Sequence, residues 1–557
     1  MWFAEAEEVV EVVRGHFPWT CLLLVPILIA ISPVNGAHDF TAYRMQQFDL
    51  HGSQYGCRNT LVNLEARPIS AKMVTRRCIL ARLSEVTAER YRELIEQGAG
   101  SLVILLPEVL SSAPKEVVNQ WMELEALMLE GETVMPVYFA QEDEELLSIH
   151  RDIQEAVSGD QAASGAQALL SAVYANGFQM VISGTQAKAV KDGSIISFQG
   201  QLTGKGVEDQ LPTLAVVAHY DAFGIAPHLS FGADSNGSGV VALLELARLF
   251  SKLYTSSRTH AKFNILFLLS GGGKFNYQGT KRWIEDNVES QESSLLSDVS
   301  YVLCLDTIGA GDELYLHVSK PPKEGTEPYQ ILQELQSVTN ALFPSVKFSM
   351  SHKRINLAED WLAWEHERFS MQRLPAGTLS HLPAYDSSSR TTITDDSSKV
   401  DASKLARNVK ILAEALATHV FGLNSTEDNS FEVFVDGYEV NADSINSWLN
   451  YLSSQPRSAQ LMTKEHPLLQ TLQSALTRHL KDVKRITIKA DKREPEYVFY
   501  DGLKFTMHAY SVKPAVFDLF LAGGIAGYLG LIYLAVQNFS YLKDTVRSYV
   551  ARKPKIH

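Results

Sequence analysis

The chain has 557 residues, 45% of them hydrophobic and 20% charged, so it is long enough to form several domains with buried cores. It carries 50 lysines and arginines against 64 aspartates and glutamates, which gives a formal net charge of -14. Because proteins bind nucleic acid backbones through clustered cations, this composition argues against nucleic acid as the main partner.

Residues 1–42 have the pattern of a signal peptide. The apolar run 19–34 is shorter than the roughly 20 residues of a spanning helix and contains Pro26. The residues before this run carry more acidic than basic side chains, so an uncleaved anchor is the alternative. We expect cleavage between Gly36 and Tyr43.

Residues 43–190 are predicted to form a smaller N-terminal α/β lobe. The apolar runs 101–107 and 134–140 are typical of buried strands, and residues 117–130 between them have helical periodicity. This order predicts a βαβ unit, and no motif in the lobe carries chemistry.

The four cysteines allow one plausible disulfide. Cys21 lies in the N-terminal apolar run and Cys304 in a strand-like run, which leaves Cys57 and Cys78 as the candidate pair. Two unreactive free thiols are the alternative, and the sequence favours neither.

The stretch 213–248 combines an apolar strand, a turn with a histidine and a carboxylate, a glycine-rich loop and a helix. Residues 214–218 are predicted to be buried on both faces, in the middle of a mostly parallel sheet. His219 and Asp221 follow this strand. Since residues two apart share a face, Asp221 is expected to accept a hydrogen bond from the His219 ring. Asp234 lies on the glycine-rich loop.

The motif HYD at 219–221, the loop GADSNGSGV at 232–240 and the helical ELAR at 245–248 resemble the zinc aminopeptidase fold. Over the whole chain the sequence is similar to the nicalin family, a branch related to nicastrin in which this fold is thought to have lost its chemistry. The resemblance implies a mostly parallel α/β sheet with flanking helices over residues 191–423. In active members a strand-end histidine, a loop aspartate and a later aspartate hold one metal, and two glutamates and a final histidine complete the site.

On this resemblance, His219, Asp234 and Asp306 occupy metal-ligand positions, with Asp221 behind the histidine. Three ligands with an open position are also the pattern of a mononuclear catalytic zinc site, so a retained metal is an alternative. The favoured interpretation is a hydrogen-bonded and salt-bridged remnant of the site. We therefore expect no bound metal and no cofactor.

The resemblance places the glutamate pair on Gly273 and Lys274. Glycine cannot take a proton from a metal-bound water, and lysine supplies a cation where a carboxylate ligand is needed. His381 is a less favoured substitute for the final histidine. The position of that histidine itself falls on one of three residues, Arg390, Thr391 or Thr392. We therefore expect no catalytic residue and no enzyme activity.

Two tripeptides match the acceptor pattern for N-glycosylation. Asn424 in NST is the favoured site, and Asn236 in NGS, inside the glycine-rich loop, is the less favoured one. Both assignments depend on a lumenal location for this part of the chain.

Residues 424–514 are predicted to form a membrane-proximal α+β region. Strands are expected over 431–440, 486–491 and 496–510, with helices near 443–454 and 466–481.

Residues 515–537 are predicted to be a transmembrane helix, since about 20 residues cross the hydrocarbon and Asp518, near one end, is the one charged residue. The tail 538–557 is basic, which places it in the cytosol and the bulk of the chain in the lumen, a single-pass type I topology. Small residues predict a face on which another helix packs closely: Ala522, Gly523, Ala526, Gly527 and Gly530.

The chain ends in KPKIH, and Lys553 and Lys555 resemble the dilysine retrieval signal of endoplasmic reticulum membrane proteins. Resemblance to the nicalin family implies a non-catalytic scaffold in that membrane. It implies two partners, the Nodal modulator protein and a polytopic transmembrane protein, in a complex associated with the translocon and the ribosome during multipass membrane protein biogenesis. The alternative is a membrane-tethered zinc aminopeptidase or carboxypeptidase of the secretory pathway.

Overall fold

The computed structural model describes residues 38–540, with gaps at 111–112, 160–176, 192, 208–210, 290–295, 297, 360, 424–431 and 513–514, and also residue 543. Several predicted features lie outside the described residues. They are the leader as far as residue 37, Cys21, Asn424, Lys553 and Lys555.

Nineteen strands and eleven α-helices are the main elements of the described part of the chain. The strands are β1 (His38–Arg44), β2 (Gln47–Leu50), β3 (Ser53–Cys57), β4 (Val62–Pro68), β5 (Cys78–Arg82), β6 (Ser101–Leu106), β7 (Glu132–Thr133), β8 (Val137–Gln141), β9 (Gly177–Ile182), β10 (Ser194–Leu202), β11 (Thr213–His219), β12 (Asn264–Ser270), β13 (Val299–Leu305), β14 (Glu313–Val318), β15 (Lys347–His352), β16 (Ala376–Ser380), β17 (Lys481–Lys489), β18 (Tyr497–Phe499) and β19 (Lys504–Val512). The helices are α1 (Ala88–Glu96), α2 (Lys115–Met128), α3 (Glu144–Gly159), α4 (Gly239–Thr255), α5 (Gln278–Glu289), α6 (Glu327–Leu342), α7 (His366–Met371), α8 (Ala402–Phe421), α9 (Ala442–Ser453), α10 (Pro467–His479) and α11 (Ala515–Gln537).

Seven strands close into a barrel that forms the first lobe, in the order β1, β19, β9, β4, β5, β6, β8. β6 and β8 run parallel, and α2 lies between them in the sequence. The predicted βαβ unit is therefore confirmed. Every residue of β6 is buried, as its apolar sequence indicates.

The first barrel strand begins inside the predicted leader. β1 pairs with β19 from His38, opposite Ala509, to Tyr43, opposite Lys504. Residues 38–42, which the sequence assigned to the leader, thus form most of a paired strand, and the leader boundary after residue 42 stays a prediction. Within the expected cleavage interval, a cut before His38 leaves this strand intact.

An eight-stranded sheet forms the second lobe, in the order β15, β14, β16, β13, β11, β12, β10, β17. Its central strands β16, β13, β11 and β12 run parallel. All of β11 is buried: Leu214, Val216 and Ala218 pack towards α4, α6, α8, α9 and α10, and Ala215 and Val217 pack towards α5 and α7. The predicted α/β architecture, a mostly parallel sheet between helices, is confirmed for this lobe.

The residues predicted as a membrane-proximal region do not pack as a separate unit. β17 pairs with β10 at the edge of the eight-stranded sheet, and β19 lies between β1 and β9 in the barrel. β18 pairs with β2 in a four-stranded sheet completed by β3 and β7. The C-terminal strands therefore tie the two lobes together.

The strand predicted over residues 431–440 is absent from 432–440, the part of it that the structure describes. The backbone N–H groups of Val433 and Phe434 donate to the Glu414 carboxylate, at 2.8 and 2.9 Å. A side-chain acceptor on α8 therefore takes the place of a neighbouring strand. The helices and the other strands predicted between 443 and 510 are confirmed as α9, α10, β17, β18 and β19.

Helix α11 covers the predicted membrane span. At Gly523, Gly527 and Gly530 a Cβ atom would meet nothing within 4 Å beyond the helix's own neighbouring backbone. Among the helices as far as the structure describes them, none is both long and apolar enough to cross a membrane. The transmembrane assignment stays a prediction.

Cys57 and Cys78 do not form the disulfide that was one of the two predicted alternatives. Both thiols are free and buried, as is Cys304. Cys57 packs in the core cluster that contains Trp121, whereas Cys78 packs in a different cluster that contains Tyr138. Burial raises the pKa of the Cys78 thiol to about 12. The alternative of two unreactive thiols is therefore the correct one.

A buried glutamate joins the two lobes. Glu125 on α2 accepts hydrogen bonds from the backbone N–H groups of Ile225, at 2.7 Å, and Ile393, at 3.1 Å, which both belong to the second lobe. Burial raises the pKa of Glu125 to about 7, although these hydrogen bonds oppose the shift.

Glu125→Gln is expected to stabilise the folded chain at pH 8, by about 1–3 kcal/mol. The pKa of Glu125 is higher in the folded than in the unfolded chain, so the wild type loses stability as pH rises from about 4.3 to about 7. Glutamine keeps the carbonyl acceptor and never ionises. Thermal unfolding from pH 5 to pH 8 should show a melting temperature difference that grows in favour of the variant.

The matched control is Glu123→Gln, an exposed residue on the same helix, for which no pH-dependent difference is expected. A Glu125→Gln variant that is less stable than the wild type at pH 8 would show that the charged carboxylate, and not its hydrogen bonds, stabilises the lobe contact.

Candidate functional site

The residues with metal-ligand positions converge at one edge of the eight-stranded sheet. His219 ends β11, residues 271–274 follow β12, and Asp306 follows β13, and these three strands are parallel neighbours. Their carboxyl ends therefore lie side by side, at the edge where open α/β sheets place their ligands. The loop between β11 and α4, which contains Asp234, covers this edge.

His219 is fully buried, and its Nδ1 atom faces a carboxylate that the sequence did not reveal. Nδ1 lies 3.2 Å from Oε2 of Glu365. Its Nε2 atom is also buried and has no hydrogen-bond partner within the described part of the chain. The expected hydrogen bond from His219 to Asp221 is absent. Asp221 instead accepts from the backbone N–H groups of Gly273 and Lys274, at 2.8 and 3.0 Å, because the turn after β12 closes over it.

Glu365, just before α7, is held by two hydroxyl groups in addition to His219. Ser270 Oγ donates to its Oε1 at 2.6 Å, and Thr280 Oγ1 donates to the same atom at 2.5 Å. Its side chain is 1% exposed. The one sequence signal for this residue is its place within the aromatic-rich segment 361–369, which gives no indication of a contact with β11.

Asp306 is paired with an arginine. Arg390 Nη2 lies 2.6 Å from Asp306 Oδ2 and also donates to the Tyr277 hydroxyl at 3.0 Å, and the guanidinium stacks over Trp364 at 4.0 Å. Burial raises the pKa of Asp306, but the charges of Arg390 and Lys274 outweigh it and hold that pKa well below its usual range. Of the three candidates for the final histidine position, Arg390 is the one that reaches the site.

Lys274 adds a second cation to the same place. Its Nζ donates to Ser235 Oγ at 2.5 Å and to the Arg390 carbonyl oxygen at 3.0 Å. Burial lowers the pKa of Lys274 to about 8, and the nearby Asp306 opposes that shift. The predicted role of Lys274, a cation that stands among the former ligands, agrees with these contacts.

Asp234 is satisfied by a histidine and by the backbone. Its Oδ2 lies 2.8 Å from His381 Nε2, and its Oδ1 accepts from the Gly309 N–H at 2.8 Å. Asp395, which the sequence analysis missed, accepts from the backbone N–H groups of Asp234 and Ser235 at 3.0 and 2.7 Å. Burial and the neighbouring Asp234 raise the pKa of Asp395 to about 7.

The donors present do not fit a metal ion. His219 faces Glu365, Asp234 contacts His381, and Asp306 is held by Arg390. Within the residues that the structure describes, no three histidine, cysteine, aspartate or glutamate side chains are arranged to hold a metal. Cations built into the chain therefore balance the carboxylates at this edge of the sheet.

Gly273 leaves no room for a larger side chain. A Cβ atom at this position would lie 2.3 Å from both Cβ and Cγ of His219. The glycine at the predicted general-base position is thus required by the way His219 packs, and a glutamate cannot be accommodated without moving β11.

Asn236 is not accessible for glycosylation, which corrects the less favoured of the two predicted sites. Its side chain is fully buried, and its Nδ2 donates to the carbonyl oxygens of His219 and Leu305 at 2.9 and 2.8 Å. The asparagine connects the ends of β11 and β13.

A buried arginine that the sequence analysis also missed holds the glycine-rich loop. Arg457 is fully buried and donates to the carbonyl oxygens of Tyr220 and Gly232, on either side of the loop. It also donates to the Phe231 carbonyl at 3.2 Å. The segment predicted as membrane-proximal therefore fixes the geometry of the site.

Known proteins are similar to this chain over nearly its whole length. The model of Peptidase family M28 matches residues 200–416. The BOS complex subunit NCLN of Homo sapiens is 53% identical over 560 residues, which cover 98% of this chain and 99% of that protein. Nicalin of Caenorhabditis elegans is 28% identical and covers 97% of this chain and 98% of its own length. The crystal structure of the gamma-secretase component nicastrin matches with a TM-score of 0.59 at 11% identity, over 85% of this chain and 99% of that one, which shows the shared fold.

Proposed function

Because the chain belongs to the nicalin family, whose members include BOS complex subunits, we propose that it is a non-catalytic subunit of the BOS complex. In this proposal it resides in the endoplasmic reticulum membrane as a single-pass type I protein, with most of the chain in the lumen. Its role is to hold partners together and not to cleave peptides.

The ion pair between Arg390 and Asp306 is the observation that carries the non-catalytic part of the proposal. A guanidinium 2.6 Å from a carboxylate occupies the position where a metal would need that carboxylate. Lys274 lies against the same group of side chains, and Gly273 offers no base. These substitutions argue against the alternative of a zinc aminopeptidase or carboxypeptidase.

The proposed partners are the Nodal modulator protein and a polytopic transmembrane protein, within an assembly associated with the translocon and the ribosome. Resemblance to the nicalin family supports these partners. Helix α11 offers them a surface, since Gly523 and Gly527 have nothing within 4 Å of a Cβ atom built on them. Small residues let two membrane helices approach closely. The proposed type I topology also includes a retrieval signal in the cytosolic tail, at Lys553 and Lys555. It includes a glycan on the lumenal side, at Asn424.

Exchange of both Gly523 and Gly527 for leucine is expected to reduce recovery of co-purifying membrane proteins at least about tenfold, because bulky side chains hold a partner helix away. The measurement is quantitative mass spectrometry of the tagged full chain, isolated from membranes in mild detergent.

The control for this experiment is Ile525→Phe, which adds bulk at an exposed position on the other side of the same helix. Unchanged recovery with the double leucine variant would contradict a span-mediated interface. Recovery of no membrane protein even with the wild type would contradict the scaffold role itself.

A further inference from the structure

A cavity of about 840 Å³ lies at the edge of the eight-stranded sheet that faces away from His219 and Asp306. Tyr301, near the start of β13, and Ala376, at the start of β16, line it, whereas the former metal-ligand positions lie at the opposite ends of the strands. Leu316 and Val318 of β14 form a further wall. Its volume is within the range of pockets that bind small molecules.

Four cations line this cavity, and no carboxylate does so among the described residues. They are Lys320, Lys323, Arg354 and Arg373. Within the part of the chain that the structure describes, none of the four is in an ion pair. All four are exposed, and four cations around one cavity in a chain of net charge -14 favour an anionic ligand there.

Two buried hydroxyl groups in the cavity have no hydrogen-bond partner within the described residues. Tyr301 is 1% exposed, and its Oη is unpartnered, as is Oγ of Ser319. Gly377 makes room for the tyrosine hydroxyl, since a Cβ atom there would lie 2.4 Å from Oη. A buried hydroxyl without a partner is costly, so a ligand oxygen that reached either group would gain a hydrogen bond.

The remaining walls combine apolar surface with a helix N-terminus. Ile355 and Leu374 line the cavity together with Pro321, Pro322, Pro328 and Pro375. Thr326 is the N-cap residue of α6 and Pro328 lies in its first turn; α6 has 16 residues, and a helix N-terminus favours negative charge. The lining of the cavity thus combines hydrogen-bond donors and cations with hydrocarbon.

We propose that this cavity binds a phosphate monoester carried on a compact apolar group. The phosphate oxygens would accept hydrogen bonds from Tyr301 and Ser319 and face Arg354 and Arg373, which suit phosphate through paired N–H donors. A soluble ester and a lipid headgroup share this chemistry. The proposal is independent of the scaffold role, because it concerns the opposite edge of the sheet.

The test uses phenyl phosphate as the probe, in isothermal titration of the purified full chain. Phenyl phosphate is expected to bind with a dissociation constant below a millimolar, inorganic phosphate at least about tenfold more weakly, and phenol not measurably. Failure of phenyl phosphate to bind, or equal binding by phenol, would overturn the proposal.

Two variants locate the site. The double variant Arg354→Gln, Arg373→Gln and the single variant Tyr301→Phe should each weaken phenyl phosphate binding at least about tenfold, since each loses hydrogen bonds to a charged group. Tyr301→Phe keeps the ring that packs in the core. The matched control is Arg92→Gln, Arg493→Gln, which removes two exposed arginines elsewhere and should bind as the wild type does. Equal weakening in the control would overturn the assignment to this cavity.

Competition distinguishes the two sources of the ligand. If dioctanoyl phosphatidic acid displaces phenyl phosphate from the wild type but not from the double variant, the natural ligand is a lipid. Displacement by short-chain soluble phosphate esters, but not by this lipid, would assign it to a soluble ligand. Displacement by neither class, with phenyl phosphate still bound, would contradict a natural phosphate monoester as the ligand.

Discussion

Arg390→Met is expected to destabilise the folded chain by about 3–5 kcal/mol, because it leaves the Asp306 carboxylate buried without its closest cation. The arginine is 8% exposed, and besides its ion pair it donates to the Tyr277 hydroxyl and stacks over Trp364. Methionine can replace the packing but none of the hydrogen bonds. Because Lys274 remains near Asp306 and partly compensates its charge, the loss can be as small as the lower end of this range. Chemical denaturation of wild type and variant measures the difference.

A double-mutant cycle separates the ion pair from the rest of the effect. Asp306→Asn alone should also destabilise the chain, and the double variant should lose less than the sum of the two single losses, since neither charge is then left unpaired. The surface control is Arg282→Met. Its bridges to Glu285 and Asp286 are exposed, so a change within about 0.5 kcal/mol is expected. Destabilisation of less than 1 kcal/mol in Arg390→Met would show that the pair contributes little.

The strands around the site could be predicted from the sequence because burial leaves a direct trace in composition. Residues 214–218 are apolar without interruption, and they are buried on both faces in β11. The resemblance to the zinc aminopeptidase fold placed Asp306 at the end of a strand, and it directly follows β13. The apolar sequence of a central strand therefore indicates that it is buried. Side chains that follow neighbouring parallel strands then lie close together, although they are distant in the sequence.

The partners of these side chains could not be predicted, because they come from far away in the chain. Glu365 lies 146 residues from His219, and Asp395 lies 161 residues from Asp234. Arg457 reaches back 237 residues to the carbonyl of Tyr220. A single sequence carries no signal for such pairs.

One further expectation failed, and one choice stayed open, because the sequence reports only the local chain. The apolar alternation of residues 431–440 is typical of a strand, but Glu414 on α8 takes the N–H groups that strand pairing needs. Likewise, the number of cysteines suggested a pair, whereas Cys57 and Cys78 pack in different core clusters. Tertiary contacts decide both outcomes.

Gly273 is the position at which stability and the proposed absence of activity can be tested together. Gly273→Ala is expected to destabilise the chain by about 3 kcal/mol, because the added Cβ would lie 2.3 Å from Cβ of His219, an atom fixed by the strand. Gly131→Ala is the matched control: a Cβ there meets nothing within 4 Å, so a change within about 0.5 kcal/mol is expected. Equal stability of the two variants would show that β11 can shift away from residue 273 at little cost in free energy.

The double variant Gly273→Glu, Lys274→Glu restores the acidic pair that active zinc aminopeptidases carry, and we expect both it and the wild type to be inactive. The glutamate at 273 has no space beside His219, and Arg390 still holds the Asp306 carboxylate that a metal would need. A general base contributes roughly 10²- to 10⁴-fold only where a metal-bound water is already positioned.

The measurements are zinc content and hydrolysis of aminoacyl fluorophores by the wild type, this variant, and the variant combined with Arg390→His. Chelator-sensitive turnover by the wild type, lost in His219→Ala, would make the chain an enzyme after all. Turnover that appears only in the triple variant would instead show that Arg390 blocks a framework still able to hold metal.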